Sequence, residues 1–190
     1  MEIKKVLKKI WNFLWHSNSV WSWIIDLILV FLIVKFIIFP FFGWILCTPL
    51  PFVIIESHSM EHEGNFDSWF SIHGLWYLEN NISKEEVLEW GWNNGMDKGD
   101  IIVVKGLKDK NYDVGDVIIF GVPGQGTPII HRIIDKRIEQ NKISFSTKGD
   151  HNDGQLEYEF SVEEEQILGK AIARIPKVGW LKLIFVELFR

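Results

Sequence analysis

Residues 115–134, GDVIIFGVPGQGTPIIHRII, contain two β-branched runs separated by a segment rich in glycine and proline. Short runs of this kind, bounded by such residues, are typical of strands joined by turns. Outward from this segment the pattern recurs in PFVIIE at 51–56, IIVVK at 101–105, KISFSTK at 142–148 and ILGKAIARI at 167–175. This spacing favours an antiparallel β domain over repeated βαβ units, so the predicted fold class is mainly β.

A long apolar run precedes these strands. Residues 21–46 read WSWIIDLILVFLIVKFIIFPFFGWIL, and about 20 apolar residues suffice to cross the hydrocarbon core of a membrane as a helix. We therefore expect a transmembrane helix over residues 20–47, in which Pro40 introduces a kink or marks the outer end. Four lysines precede the run, whereas the next basic residue after Lys35 is Lys84. The positive-inside rule then predicts a cytoplasmic amino terminus and an extracytoplasmic β domain.

The chain divides by composition into four segments. Residues 1–19 are a basic amphipathic segment expected at the inner leaflet, and 20–47 are the membrane helix. The β-rich domain covers residues 48–176 and contains a small insert at 61–98. Residues 177–190 are apolar but too few to span a membrane, so they lie at the interface or pack on the domain.

Three further features of the sequence restrict its structure and its partners. Inside the insert, a capping box at Ser83-Lys-Glu-Glu86 predicts a short helix over 84–91. The net charge of -5 provides no basic surface that would neutralise a nucleic acid. Cys47 is the single cysteine, which excludes an intrachain disulfide and a cysteine-rich zinc site.

Three polar clusters interrupt the predicted strands, at residues 57–60, 131–132 and 148–153. They contain serine, histidine and aspartate, and each lies at the end of a strand, where distant positions converge. A serine hydroxyl becomes a good nucleophile when an adjacent base removes its proton. Histidine is the usual base, and a carboxylate fixes its tautomer and stabilises the imidazolium.

The order of these segments resembles a type I signal peptidase in the histidine-using branch found in archaea and the endoplasmic reticulum. That family has an amino-terminal membrane anchor followed by Ser-x-Ser-Met, Gly-Asp-strand segments, a His-Arg segment and a Lys-Gly-Asp loop. The matching motifs occur here in the same order: Ser57-His58-Ser59-Met60, Gly99-Asp100, Gly115-Asp116, His131-Arg132 and Lys148-Gly149-Asp150-His151-Asn152. The resemblance covers about residues 20–180.

The resemblance implies a role for each matching position. Ser59, directly before the methionine, is the expected nucleophile, and the Ser57 hydroxyl is expected to help stabilise the oxyanion. His131 is the expected general base. The carboxylate partner is Asp150, with Asp153 as a competing choice.

The resemblance also implies the reaction and its setting. The expected function is removal of signal peptides from exported preproteins by a serine endopeptidase, without a metal or organic cofactor. The expected partners are the signal peptides, membrane lipid and, by proximity, the Sec translocon. The expected location is the cytoplasmic or endoplasmic-reticulum-type membrane, crossed once, with the catalytic domain outside the cytoplasm.

Two alternative functions follow from other features of the chain. His58-Ser-Met-Glu61-His62 matches the inverted zinc-peptidase signature, in which two histidines hold zinc and the glutamate acts as base. The usual type I signal peptidase has glycine and proline where this chain has His58 and His62, so the match overlaps a departure from the family. A non-catalytic scaffold tethered to the membrane, which binds a partner through the Trp-rich insert, is the second alternative.

Overall fold

The computed structural model describes residues 2–17, 19–140 and 142–188. The chain divides into two compact units, Met1–Ile45 and Leu46–Arg190. The second unit is built on an antiparallel sheet of seven strands, which confirms the mainly β fold class.

The first unit is helical. Its elements are α1 (Glu2–His16), α2 (Val20–Ile33), a π-helical segment (Val34–Ile38) and α3 (Phe39–Ile45). Helix α2 begins at Ser19, whose side chain accepts a hydrogen bond from the backbone N–H of Trp21 at 3.3 Å. The last three elements run on from one another as 26 residues, Val20–Ile45, long and apolar enough to cross a membrane by length and composition.

Pro40 does not end this helix, which continues for five residues to Ile45. A proline within a helix lacks the N–H for the usual bond and its ring crowds the carbonyl four residues before it. The π-helical segment Val34–Ile38 lies directly upstream and widens the turn that meets the ring. The proline is therefore accommodated inside the helix, so of the two alternatives predicted for Pro40, a kink or the outer end, the outer end is wrong.

The second unit forms one sheet in the order β1-β2-β7-β3-β4-β5-β6, with every neighbouring pair antiparallel. Its strands are β1 (Phe52–Ile54), β2 (Ile101–Lys105), β3 (Val117–Phe120), β4 (Ile129–Glu139), β5 (Lys142–Lys148), β6 (Val162–Glu163) and β7 (Ile167–Ile175). Short 3-10 turns at Glu157–Glu159 and Glu164–Gln166 flank β6.

Buried side chains from the strands form two apolar clusters. One includes Met60 and Met96 with residues of β2, β3 and β7, and the other centres on Phe120, Ile133 and Phe145. Burial of such side chains contributes about 1.5–3 kcal/mol each. These clusters hold the ends of the strands, and with them the polar motifs, in fixed positions.

The insert contains two helices, α4 (Phe66–Glu79) and α5 (Lys84–Glu89). Helix α5 confirms the predicted short helix, although it ends two residues earlier than expected, and the Ser83 hydroxyl caps it by accepting from the Glu86 N–H at 3.2 Å. Helix α4 was not predicted. It begins at Asn65, whose side chain accepts from the Ser68 N–H at 2.9 Å.

The carboxyl-terminal segment forms α6 (Trp180–Leu188), which packs on the β unit through the buried Leu183. At its start, the Gly179 N–H donates to the Gly99 carbonyl at 2.8 Å. Gly99 has a φ of +89°, and a Cβ at this position would lie 2.2 Å from the Trp180 ring. Only glycine therefore combines this backbone conformation with the close approach of α6.

Candidate active site

Ser59 lies in the turn that follows β1. Its hydroxyl is 3.1 Å from the Ser57 hydroxyl, and its side chain is half-buried. The next residue, Met60, is buried in the core and its carbonyl accepts from the Met96 N–H at 2.8 Å. Met60 thus fixes the turn, so that the two serine hydroxyls face each other at the end of the strand.

His131 lies in β4 opposite Ile118 of β3 and is almost completely buried. Its Nδ1 atom forms a short hydrogen bond with the Glu159 carboxylate. Glu159 ends a 3-10 turn and is fully buried, and its second oxygen accepts from the Leu156 N–H at 2.7 Å. The carboxylate is therefore held in place and aimed at the imidazole.

This contact determines the tautomer of His131. A carboxylate accepts hydrogen bonds, so Nδ1 carries the hydrogen atom and donates a hydrogen bond to Glu159. The Nε2 atom of the neutral ring is then left with a lone pair, as a general base requires.

Gly149 brings Ser59 and His131 together. A Cβ added at Gly149 would lie 2.7 Å from His131 Nε2 and 2.8 Å from the Ser59 carbonyl oxygen. The basic nitrogen and the Ser59 backbone therefore approach one another across this glycine, and any larger residue would push them apart. The neighbouring His151 N–H donates to the same carbonyl at 2.9 Å, which ties the 148–153 loop to the serine turn.

Asp150 has partners other than His131. Its carboxylate accepts from Arg132 Nε at 2.8 Å and Arg132 Nη2 at 2.7 Å, and also from Tyr77 and His62. Burial by itself would raise the pKa of Asp150, but the guanidinium of Arg132 outweighs this effect and holds the pKa well below its usual range. Asp150 is thus an ionised, fully buried partner of Arg132.

Asp153, the competing choice of acid, is exposed. Among the described residues the carboxylate that bonds His131 belongs to Glu159, and neither Asp150 nor Asp153 bonds this ring. Glu159 could not be recognised from the sequence, because it lies 28 residues from His131 and in none of the motifs. The catalytic roles of Asp150 and Asp153 stay predictions, and Glu159 enters the site on geometry alone.

The residues of the inverted zinc motif point in different directions. His58 is exposed and its Nδ1 bonds Glu61 at 2.7 Å, whereas His62 is buried and both of its ring nitrogens have partners, Asn93 and Asp150. Within the described ranges no group of three or more His, Cys, Asp or Glu side chains is arranged to hold a metal ion. The geometry does not favour the zinc-peptidase alternative.

Lys148 is a further buried cation beside the site. Its ammonium donates to the Gly149 carbonyl at 3.0 Å and lies 5.1 Å and 4.9 Å from the ring centres of Trp76 and Tyr77. Burial lowers the pKa of Lys148 to about 8, although nearby carboxylates, first Asp150, act in the opposite direction. Its aromatic neighbours come from α4, so the insert covers this loop.

Comparison with known proteins gives relatives of one kind. No protein-family model matches the chain. It is 30% identical over 115 residues to the signal peptidase complex catalytic subunit SEC11 of Komagataella phaffii, covering 53% of this chain and 65% of the relative. It is 28% identical over 107 residues to SEC11 of Yarrowia lipolytica (53% and 62%) and 28% identical over 104 residues to human SEC11C (52% and 54%).

The matched part covers less than two thirds of the length of each of these relatives. All three are catalytic subunits of a signal peptidase complex by name, and they agree with the family that the order of the motifs indicates. Over about half its length the chain is therefore similar to signal peptidase catalytic subunits, which agrees with the resemblance to type I signal peptidases.

Proposed function

We propose that this protein is a membrane-bound serine endopeptidase that removes signal peptides, with Ser59 as nucleophile, His131 as general base and Glu159 as orienting carboxylate. The observation that carries the proposal is the contact between His131 Nδ1 and the buried Glu159. It leaves Nε2 unprotonated on the side where the Ser59 backbone lies. The same arrangement activates serine in other hydrolases, on unrelated folds.

The proposed reaction uses this geometry. His131 Nε2 takes the Ser59 proton as the serine oxygen attacks the scissile carbonyl carbon. The Ser59 N–H and the Ser57 hydroxyl stabilise the resulting oxyanion, and Ser57 already lies 3.1 Å from the nucleophile. The imidazolium then protonates the leaving amine as the C–N bond breaks. Water, deprotonated by the same nitrogen, hydrolyses the acyl-enzyme and frees the serine.

The sheet supports a way of binding the substrate. β1 is an edge strand that pairs with β2 on one side, and it leads directly to Ser59. An extended peptide adds to such an edge through main-chain hydrogen bonds. The family resemblance implies small residues at the -1 and -3 positions of the cleaved signal, and these would lie against the turn at residues 57–60.

The membrane setting belongs to the same proposal. The helix Val20–Ile45 anchors the chain in the membrane, the lysine-rich start stays cytoplasmic, and the β unit lies outside the cytoplasm. The relatives are named as subunits of a complex, which supports the presence of partner subunits. Proximity to the Sec translocon is a further part of the proposal. Membrane lipid and preprotein signal peptides complete the set of partners.

The test is cleavage of a purified preprotein by the full chain in detergent. Ser59→Ala and His131→Ala are expected to lose more than 99% of the activity, whereas the exposed Ser68→Ala, a matched serine in the insert, keeps it. Full activity of folded Ser59→Ala would overturn the proposal. If that activity also disappeared with a chelator, the zinc alternative would hold, and if function persisted without any cleavage, the scaffold alternative would.

A further inference from the structure

His62 lies where the usual type I signal peptidase has proline, and the proposed reaction assigns it no role. Its side chain is buried, with 1% exposed. Nδ1 lies 3.0 Å from the Asn93 carbonyl oxygen and Nε2 lies 2.9 Å from Asp150 Oδ2. The ring also stacks on Trp69, with 4.0 Å between ring centres and 8° between planes. Both nitrogens and one face of the ring are therefore engaged.

The two hydrogen-bond partners define the protonation state of His62. A backbone carbonyl oxygen accepts hydrogen bonds and does not donate them. Asp150 is ionised, because the Arg132 fork and the Tyr77 hydroxyl all donate to it. Both ring nitrogens consequently face acceptors, so both must carry hydrogen. This makes His62 an imidazolium, and the face of Trp69 stabilises such a cation.

We infer that His62 is a positioning residue, held as a buried imidazolium, that fastens the 148–153 loop to the insert and so keeps Ser59 and His131 in reacting geometry. This inference rests on the proposed serine peptidase function. The insert holds Asp150 at three points, through His62, the Tyr77 hydroxyl at 3.3 Å and the Trp69 indole N–H, which donates to the Asp150 carbonyl at 3.3 Å.

The loop transmits this constraint to the reacting groups. The Asp150 N–H contacts Met60 Sδ at 3.5 Å, and the His151 N–H donates to the Ser59 carbonyl. Gly149 lies between that carbonyl and His131 Nε2. A shift of Asp150 would therefore displace Gly149 and, with it, the Ser59 carbonyl and His131 Nε2 on either side. His62 acts on them through Asp150, which its Nε2 atom bonds.

The groups around His62 show what its removal would change. The charged and titratable groups that share its carboxylate are Arg132 and Tyr77, and the Lys148 ammonium lies over the Tyr77 ring. Arg132 by itself balances the charge of Asp150, so His62 contributes through its two hydrogen bonds. Its removal takes one donor from Asp150 and one from the Asn93 carbonyl, and so releases the loop from the insert at this point.

The protonation state is tested on the unmodified chain. In protein labelled with 15N-histidine in detergent at pH 7.5, long-range proton–nitrogen spectra are expected to show His62 with both nitrogens protonated. The signal is assigned by its loss in His62→Gln or, if that variant does not fold, by through-space contact with the Trp69 ring. A His62 with one unprotonated nitrogen would overturn the inference, and this measurement does not depend on peptidase activity.

The positioning role is tested by kinetics. Folded His62→Gln is expected to lower kcat for preprotein cleavage at least tenfold, with KM changed less than twofold. Tyr77→Phe, which removes one of the three attachments, should lower kcat by a smaller factor. Leu75→Gln, on the exposed face of α4, is the control and should match the wild type. An unchanged kcat in folded His62→Gln, while Ser59→Ala is inactive, would refute the role and leave the proposed function intact.

Discussion

Glu159→Gln is the substitution that examines the site most directly. The glutamine is nearly isosteric, but it offers one acceptor and one donor where the carboxylate offers two acceptors. In the protein these two oxygens face the Leu156 N–H and the Nδ1–H of His131. The amide oxygen can satisfy one of these donors, and its NH2 group must then point at the other.

The expected loss follows from the two orientations of the amide. If its oxygen accepts from Leu156, the NH2 group faces Nδ1, and the ring must adopt the tautomer with the proton on Nε2, which cannot act as a base. If its oxygen accepts from Nδ1, the NH2 group faces the part-buried N–H of Leu156 and two donors oppose each other there, which costs about 1–3 kcal/mol. The lost charge-assisted hydrogen bond adds about 1.5–3 kcal/mol. At about 1.4 kcal/mol per tenfold change, kcat should fall by roughly 10² to 10⁴.

The assay is steady-state cleavage of a preprotein in detergent, with folding checked by circular dichroism. Glu157→Gln is the matched control, because Glu157 lies two residues earlier in the same turn but is exposed, and it should remain within twofold of the wild type. A folded Glu159→Gln variant with kcat within tenfold of the wild type would refute the assignment of Glu159.

Two further substitutions test the buried charges beside the site. Asp150→Asn should lower the free energy of unfolding by about 3–5 kcal/mol, because the Arg132 guanidinium stays buried without its counter-ion, and a melting temperature equal to that of Asp153→Asn would contradict this. Lys148 holds its proton less tightly when folded, with a pKa of about 8, than when unfolded, near 10.5. Burial of the charged ammonium therefore destabilises the folded state fully below pH 8, and this cost disappears as the pH rises towards 10.5. The free energy of unfolding should increase by about 3 kcal/mol over this range. Unfolding measured at pH 7 and pH 10 should show this gain in the wild type and not in Lys148→Met; equal pH dependence in the two proteins would count against it.

The sheet could be predicted from sequence because its strands are short β-branched runs set off by turn residues. IIVVK and VIIF became β2 and β3 with the expected bounds, and the capping box gave α5. In each case the local sequence preference and the tertiary structure agree, and this agreement makes the element predictable from sequence.

Helix α4 lacked such a signal. Phe66, Trp69 and Tyr77 are buried, yet Ile72 and Leu75 of the same helix are 62% and 66% exposed. With apolar residues on both faces, the 3.6-residue periodicity that identifies an amphipathic helix is hidden. The insert therefore looked irregular in sequence, although it supplies three contacts to Asp150.

The carboxylate partner of His131 could not be predicted from the sequence, because the pairing that occupies Asp150 is visible only in the structure. His131 and Arg132 are consecutive in β4, and consecutive side chains of a strand point to opposite faces. A fully buried arginine needs a carboxylate of its own. Here Arg132 donates to the Asp150 carboxylate from two of its nitrogens, Nε and Nη2. An aspartate engaged in this way on one face of the strand is not available to the histidine on the other. The carboxylate that contacts His131 therefore comes from outside the motif, from the buried Glu159 at the end of a 3-10 turn, and this is the residue proposed above as the acid.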